Sequence, residues 1–198
     1  MTRNLRAAAR AAALGVFLLL AWLAPAAAQA ADLVITPDGR ALMNGQQYRC
    51  ALGRSGVCQE KREGDGGTPT GSYFLREVWF RADKIKEPIM TRLPARAIAP
   101  DDAWCDDPES RLYNMPVKLP FSGSHEKLWR DDDLYDLIVV VGYNDDPPVA
   151  GKGSAIFLHV AREGYAPTAG CIALQRKDLL NIVRRLDQRS RVVIQPRP

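Results

Sequence analysis

Histidine is almost missing from this chain: there are two among 198 residues, His125 and His159. That is too few for a three-histidine zinc site. The stretch from His125 to Trp129 also lacks the second histidine that a zinc-protease helix needs at position 129. Acidic residues cluster at 101–102, 106–107, 131–133 and 145–146, but without the spacing of a calcium loop, so they read as solvated loop acids. No metal and no cofactor is expected. Lys/Arg-rich runs are missing too. The formal charge of +4 is concentrated at the N-terminus; beyond residue 30, 24 cations face 23 acids, a net charge of +1. A nucleic-acid partner is therefore not expected. No internal repeat, regular βαβ alternation or appended binding module is read in the sequence. The one conspicuous apolar run, Ala11 to Leu23, is short for a bilayer span.

That run has its own reading. Arg3, Arg6 and Arg10 precede it, and Ala28-Gln29-Ala30 follows as a small-residue cleavage site. Residues 1–30 are read as a secretory signal peptide, 31–198 as a single exported domain, and Ala31 as the mature N-terminus. Export makes disulfides the first expectation for the four cysteines, Cys50, Cys58, Cys105 and Cys171. Cys171 is set apart by its surroundings. One bridge is then left for the other three, with Cys50–Cys105 favoured.

Short strands dominate the rest. Leu33–Thr36, Gln47–Leu52, Tyr73–Phe80, Leu137–Val141, Ala155–Val160 and Val192–Ile194 read as strands. Lys61–Gly67 reads as an exposed loop, and Pro88–Phe121, with six prolines, as a long irregular excursion. His125 reads as a loop residue. Asp178–Leu186 reads as a helix with Leu179, Leu180, Val183 and Leu186 on one face. The pattern is that of a β-rich α+β domain with a C-terminal helix packed on it.

The chemistry points to residues 154–174. His159 ends an apolar strand, and Cys171 follows twelve positions later in Thr168-Ala169-Gly170-Cys171-Ile172. Gly164, Pro167 and Gly170 break the chain between them, so strand, loop and second apolar run bring imidazole and thiol together. The thiolate is the reactive form of cysteine, and a neighbouring imidazole can take its proton and stabilise it. Gly170 allows close backbone approach, and the Gly170 and Cys171 N–H groups are candidates for an oxyanion site. Arg162 and Tyr165 lie in the connecting loop, at the expected border of the cleft.

These residues resemble the catalytic segment of the L,D-transpeptidase (YkuD-type) family: a histidine after an apolar strand, then Ser/Thr-His-Gly-Cys and an apolar residue. His159, Thr168, Gly170, Cys171 and Ile172 match. Upstream, Thr68-Pro69-Thr70-Gly71 resembles the family's Thr-Pro-x-Gly turn. Ala169 and Ala173 depart from the pattern, standing where the family has its second histidine and an Arg or Asn; the gap from His159 to Thr168 is also short.

The resemblance implies a β-sandwich-like catalytic domain. It also implies a periplasmic cysteine acyltransferase acting on peptidoglycan stem peptides, with Cys171 as nucleophile and His159 as base. Gly170 would serve the oxyanion, and Thr168, Arg162 and Tyr165 the substrate. Arg162 or Arg176 would replace the missing charge at 173. Water as acceptor would make the chain a carboxypeptidase or amidase, and loss of chemistry would leave a peptidoglycan-binding protein. Sortases, which place an arginine on a strand after the cysteine, fit the predicted 178–186 helix poorly. Papain-like enzymes run cysteine before histidine.

Overall fold

The computed structural model describes residues 32–198. The signal peptide and cleavage site read at residues 1–30 lie outside the described residues. Leu33–Thr36 (β1), Arg40–Met43 (β2) and Gln46–Ala51 (β3) form an opening meander. Val57–Cys58 (β4) and Thr68–Pro69 (β5) pair as a small separate ladder. The long strand Gly71–Phe80 (β6) is followed by Ala95–Ala97 (β7). Asp102–Cys105 (β8), Pro116–Lys118 (β9) and His125–Lys127 (β10) make a three-stranded sheet in the order β10-β8-β9. Leu137–Val141 (β11), Phe157–Val160 (β12) and Ile172–Leu174 (β13) follow, then helix α1 (Arg176–Val183) and Arg191–Ile194 (β14).

The main sheet runs β11-β12-β13-β3-β2-β1-β14-β6-β7, and β11 also pairs with β6. That last pairing closes eight of the strands into a ring, which removes the unpaired edges an open sheet would expose. β11 shows why two cores result. All five of its residues are buried, and successive side chains point to opposite faces. Leu137, Val139 and Val141 enter the larger core with Leu33, Ile35 and Leu158. Leu179, Ile182 and Val183 of α1 close that core. Ile138 and Val140 enter a second core with Trp79, Trp104, Phe157 and Cys171. The family-type β-sandwich-like fold with a C-terminal helix is thus present, with its sheets joined into a closed ring.

The expected strands and helix are found within a few residues. Four local expectations are corrected. The excursion 88–121 is mostly turn and loop but not wholly irregular: with the segment just beyond it, it builds β7 and the small three-stranded sheet. That sheet has its own core of Ala103, Cys105 and Val117, and His125 starts a strand rather than sitting in a loop. The Cys50–Cys105 bridge is not formed. All four cysteines are free, with Cys50 in the larger core and Cys105 in the small one. Of the acidic clusters, 101–102 is not uniformly solvated: Asp102 is buried and bound to Arg96 (2.8 Å) and the Ala99 N–H (2.7 Å), while Asp131, Asp132 and Asp133 are exposed as expected.

Asn114 pins the small sheet to the main one. Its Oδ1 accepts from Trp104 Nε1 (2.9 Å) and the Ala155 N–H (3.0 Å); its Nδ2 donates to the Tyr143 and Asn144 carbonyls. All four bonds of a buried amide are satisfied. Asn114→Ala strands those partners, so we expect it to cost about 1–3 kcal/mol in urea unfolding. We also expect it to loosen Ala155, whose φ of +51° is uncommon for a residue with a Cβ.

Candidate active site

β12 and β13 are parallel neighbours with Leu158 opposite Ile172 and His159 opposite Ala173. Cys171 precedes Ile172, and the two-residue alternation puts Cys171, Ala173, Phe157 and His159 on one face. Sequence placed the histidine and cysteine near each other; the parallel register decides that they share a face. That face opens on a cavity of about 710 Å³ bordered by Cys171, His159, Thr168, Gly170 and Arg162.

His159 is 5% exposed. Its Nδ1 lies 2.8 Å from the Val160 carbonyl. A carbonyl only accepts, so Nδ1 carries the proton and Nε2 keeps its lone pair. Burial is the main reason its pKa falls to about 4. The ring of Tyr135 packs edge-on against it, centroids 5.4 Å apart. Cys171 is also buried. Its Sγ–H donates to the Ala155 carbonyl (3.2 Å), and the Phe157 N–H donates to Sγ (3.4 Å). Burial pushes the thiol up to about 12, with the Glu126 carboxylate adding to the shift. The resting pair is therefore a thiol and a neutral imidazole, not the thiolate–imidazolium pair expected from the motif. Such a pair can still act, with imidazole as base during attack.

Gly170 has φ +144°, and a Cβ there would sit 2.9 Å from the Gly67 carbonyl oxygen. Both conditions require glycine. Its N–H, however, donates to Thr168 Oγ1 (3.1 Å), and that hydroxyl donates to the Cys171 carbonyl (2.7 Å). Of the two amides expected at the oxyanion, the Gly170 N–H is engaged within the loop. Thr168 itself bridges Gly53 through its backbone, and its side chain braces the cysteine turn.

The remaining sequence-predicted groups divide. Arg162 is exposed at the cavity border. Tyr165 is outside the cavity lining, under the Arg49 guanidinium at 4.3 Å. Arg176 is held in an ion pair with the buried carboxylate of Asp136 and does not line the cavity. His125 does line it, with Nδ1 2.8 Å from the Gly123 carbonyl.

Several cavity residues went unread in the sequence. Lys61, 5% exposed, sits in the loop expected to be exposed and binds Asp65 Oδ1 at 2.6 Å. Glu63 accepts from Ser154 Oγ (2.7 Å) and from Tyr113. Glu126, Arg130 and Tyr135 come from the segment around and after β10. No local pattern marks them, because only the folding of the excursion over β12 brings them there. Among the described residues no group of three or more His, Cys, Asp or Glu is arranged to hold a metal ion, and no helix is long and apolar enough to cross a membrane.

Comparison with known families gives a match over residues 30–194 to YkuD, the L,D-transpeptidase catalytic domain. Comparison with curated proteins gives no match. Among solved structures, Bd1075 of Bdellovibrio bacteriovorus is similar at 14% identity and TM-score 0.43, over 83% of this chain and 47% of that one. The helical cell shape determining protein Pgp2 of Campylobacter jejuni is similar at 15% identity and TM-score 0.42, over 85% and 48%. L,D-transpeptidase 1 of Mycobacterium tuberculosis is similar at 13% identity and TM-score 0.38, over 83% and 61%. The matched region spans about half to three-fifths of those proteins' length.

Proposed function

Since the chain belongs to the YkuD family of L,D-transpeptidase catalytic domains, we propose that it is a cysteine acyltransferase. Its substrates in this reading are peptidoglycan stem peptides in the periplasm, reached by export through residues 1–30. The observation that carries the reading is the shared face of β12 and β13, where the buried Cys171 sulfur and the His159 imidazole border one cavity.

The stem peptide enters with the carbonyl between its diaminopimelate and D-alanine residues at Sγ. As the C–S bond forms, the thiol proton passes to His159 Nε2, the ring nitrogen that holds no proton. The oxyanion is served by the Cys171 N–H, because the Gly170 N–H is taken by Thr168. Collapse breaks the C–N bond, and the imidazolium returns the proton to the departing D-alanine amine. The thioester is released to an amine of a second acceptor, which restores the thiol. In this reading Arg162, exposed at the cavity border, holds a substrate carboxylate, since Arg176, the other candidate, is committed to Asp136. Water taking the thioester would give the carboxypeptidase or amidase outcome with the same residues.

Carbapenem acylation tests the nucleophile. After incubation, intact mass should show one adduct per chain, and Cys171→Ala should show none. An unmodified wild-type chain would favour a wall-binding protein without chemistry. An adduct persisting in Cys171→Ala would refute the assignment of the nucleophile.

A further inference from the structure

Among the described residues, Arg54, Lys61, Lys127, Arg130 and Arg162 are the cations lining the cavity. Lys61 alone of these is buried, and the chain around it is built to bury it. Its stem runs between Gly153 and Gly170, both at positive φ (+97° and +144°). A Cβ at residue 153 would fall 2.8 Å from Lys61 Cγ, and one at residue 170 would fall 3.6 Å from Lys61 Cε. At 153, then, only a glycine leaves the slot that the lysine stem fills. The stem ends against the residue that precedes the nucleophile.

The ammonium is held there with one donor to spare. Nζ donates to Asp65 Oδ1 (2.6 Å) and to the Arg62 carbonyl (2.9 Å). An ammonium has three N–H bonds, so two are engaged and the third has no partner among the described residues. Asp65 is fixed in turn by the Arg62 N–H (2.7 Å) and the Gly67 N–H (2.8 Å). The Gly67 carbonyl is the atom that abuts Gly170.

The site is short of such a donor. With the Gly170 N–H given to Thr168, the Cys171 N–H is what remains of the pair expected at the oxyanion. Charge developing on a carbonyl oxygen is best met by several preorganised donors. Lys61 Nζ is one bond from the Cε that packs on Gly170. It therefore lies beside the peptide that carries the Cys171 N–H, and it lines the same cavity.

We propose that Lys61 is a catalytic residue whose free N–H is the second oxyanion donor, alongside the Cys171 N–H. The inference rests on the acyltransferase reading. As the S–C bond forms, the carbonyl electron pair moves onto oxygen, and that oxygen accepts from Cys171 N–H and from Lys61 Nζ. No proton passes to it. When the C–N bond breaks, the pair returns to the carbonyl and Lys61 is unchanged. Attack on the thioester builds the same oxyanion again, so Lys61 serves both halves of the reaction. Its charge makes it a stronger donor than the amide it stands in for.

Two reactions at the same sulfur separate this role from a structural one. Carbapenem acylation builds an oxyanion; alkylation by iodoacetamide does not. Lys61→Met keeps the stem and removes the donor. It should slow acylation of Cys171 about 10²–10³-fold, the usual cost of one oxyanion donor. Alkylation of Cys171 at the same pH, read by peptide mapping, should fall by no more than about tenfold, the effect of one unit of thiol pKa when a nearby charge is lost. An unchanged acylation rate, or equal losses in both reactions, overturns the proposal. Should the single variant fail to fold, Lys61→Met with Asp65→Asn removes the carboxylate left unpaired, and the same comparison applies.

The wild-type chain supplies a measurement that needs no variant. In a crystal structure of the carbapenem adduct, Lys61 Nζ should lie within about 3.2 Å of the thioester carbonyl oxygen. An oxygen turned away from Lys61 overturns the proposal, while the adduct itself upholds the acyltransferase reading. A wild-type chain that forms no adduct removes that reading, and this inference with it.

Discussion

His159→Ala should slow carbapenem acylation of Cys171 by about 10²–10⁴-fold, the usual contribution of a positioned general base. The reason is specific to this site. The Cys171 thiol is buried and pushed up to about 12, so almost no thiolate exists at neutral pH and the proton must leave during attack. His159 is buried and held at about 4, so its base form is fully populated at pH 7. Wild-type acylation should therefore stay level from neutral pH down to about pH 5 and fall only as pH approaches 4. Loss of rate already beginning near 6.5 would mean that the imidazole titrates normally and that burial does not govern it.

The same histidine sets an acid-stability slope. Its pKa is about 6.5 unfolded and about 4 folded. Between those values the unfolded chain binds the proton that the folded chain refuses, so stability rises with pH across that window. The contribution is complete above about 6.5 and lost as pH falls to 4. A unit of pKa is about 1.4 kcal/mol, so the loss approaches about 3 kcal/mol. Urea unfolding at pH 7 and pH 4 should show it, and His159→Ala should flatten it. His125→Ala should change neither the acylation rate nor this slope to a comparable degree.

Phe157→Ala should cost about 3–5 kcal/mol in urea unfolding, the range for deleting a buried phenylalanine ring. Phe157 is fully buried and is the pivot of the second core. It meets Trp104 edge-on at 5.1 Å and Tyr135 at 6.0 Å. Removing it leaves a void between the small sheet and the main one, beside the thiol that its own N–H holds. Stability lost together with faster alkylation of Cys171 would show that this packing is what buries the sulfur. A loss under about 1 kcal/mol would mean that the small sheet contributes little to closing the site.

The site was partly legible because its local signals are strong. The apolar run ending in His159 and the glycine before Cys171 are short-range features, and β-branched composition made Leu137–Val141 and Val192–Ile194 readable as strands. The excursion was not legible. Its six prolines mask strands of three and four residues whose pairing is long-range. With it went Glu126, Tyr135 and the Asn114 anchor. Lys61 was misread because a polar, glycine-rich loop looks solvated until its burial beside Gly170 is seen.

By itself, the sequence determined six of the main strands and the helix to within a few residues, the pairing of a histidine with a glycine-preceded cysteine, and the family resemblance. These follow from local propensity and motif. The tertiary structure alone decided that the ring of strands closes and that all four cysteines stay free in separate environments. It also decided the parallel register of β12 and β13, which sets His159 and Cys171 on one face. Above all it decided the protonation of that pair. A motif names an imidazole and a thiol, but their charges depend on how much water the surrounding packing excludes and on which carboxylate the fold brings near. Neither quantity is carried by any short stretch of chain.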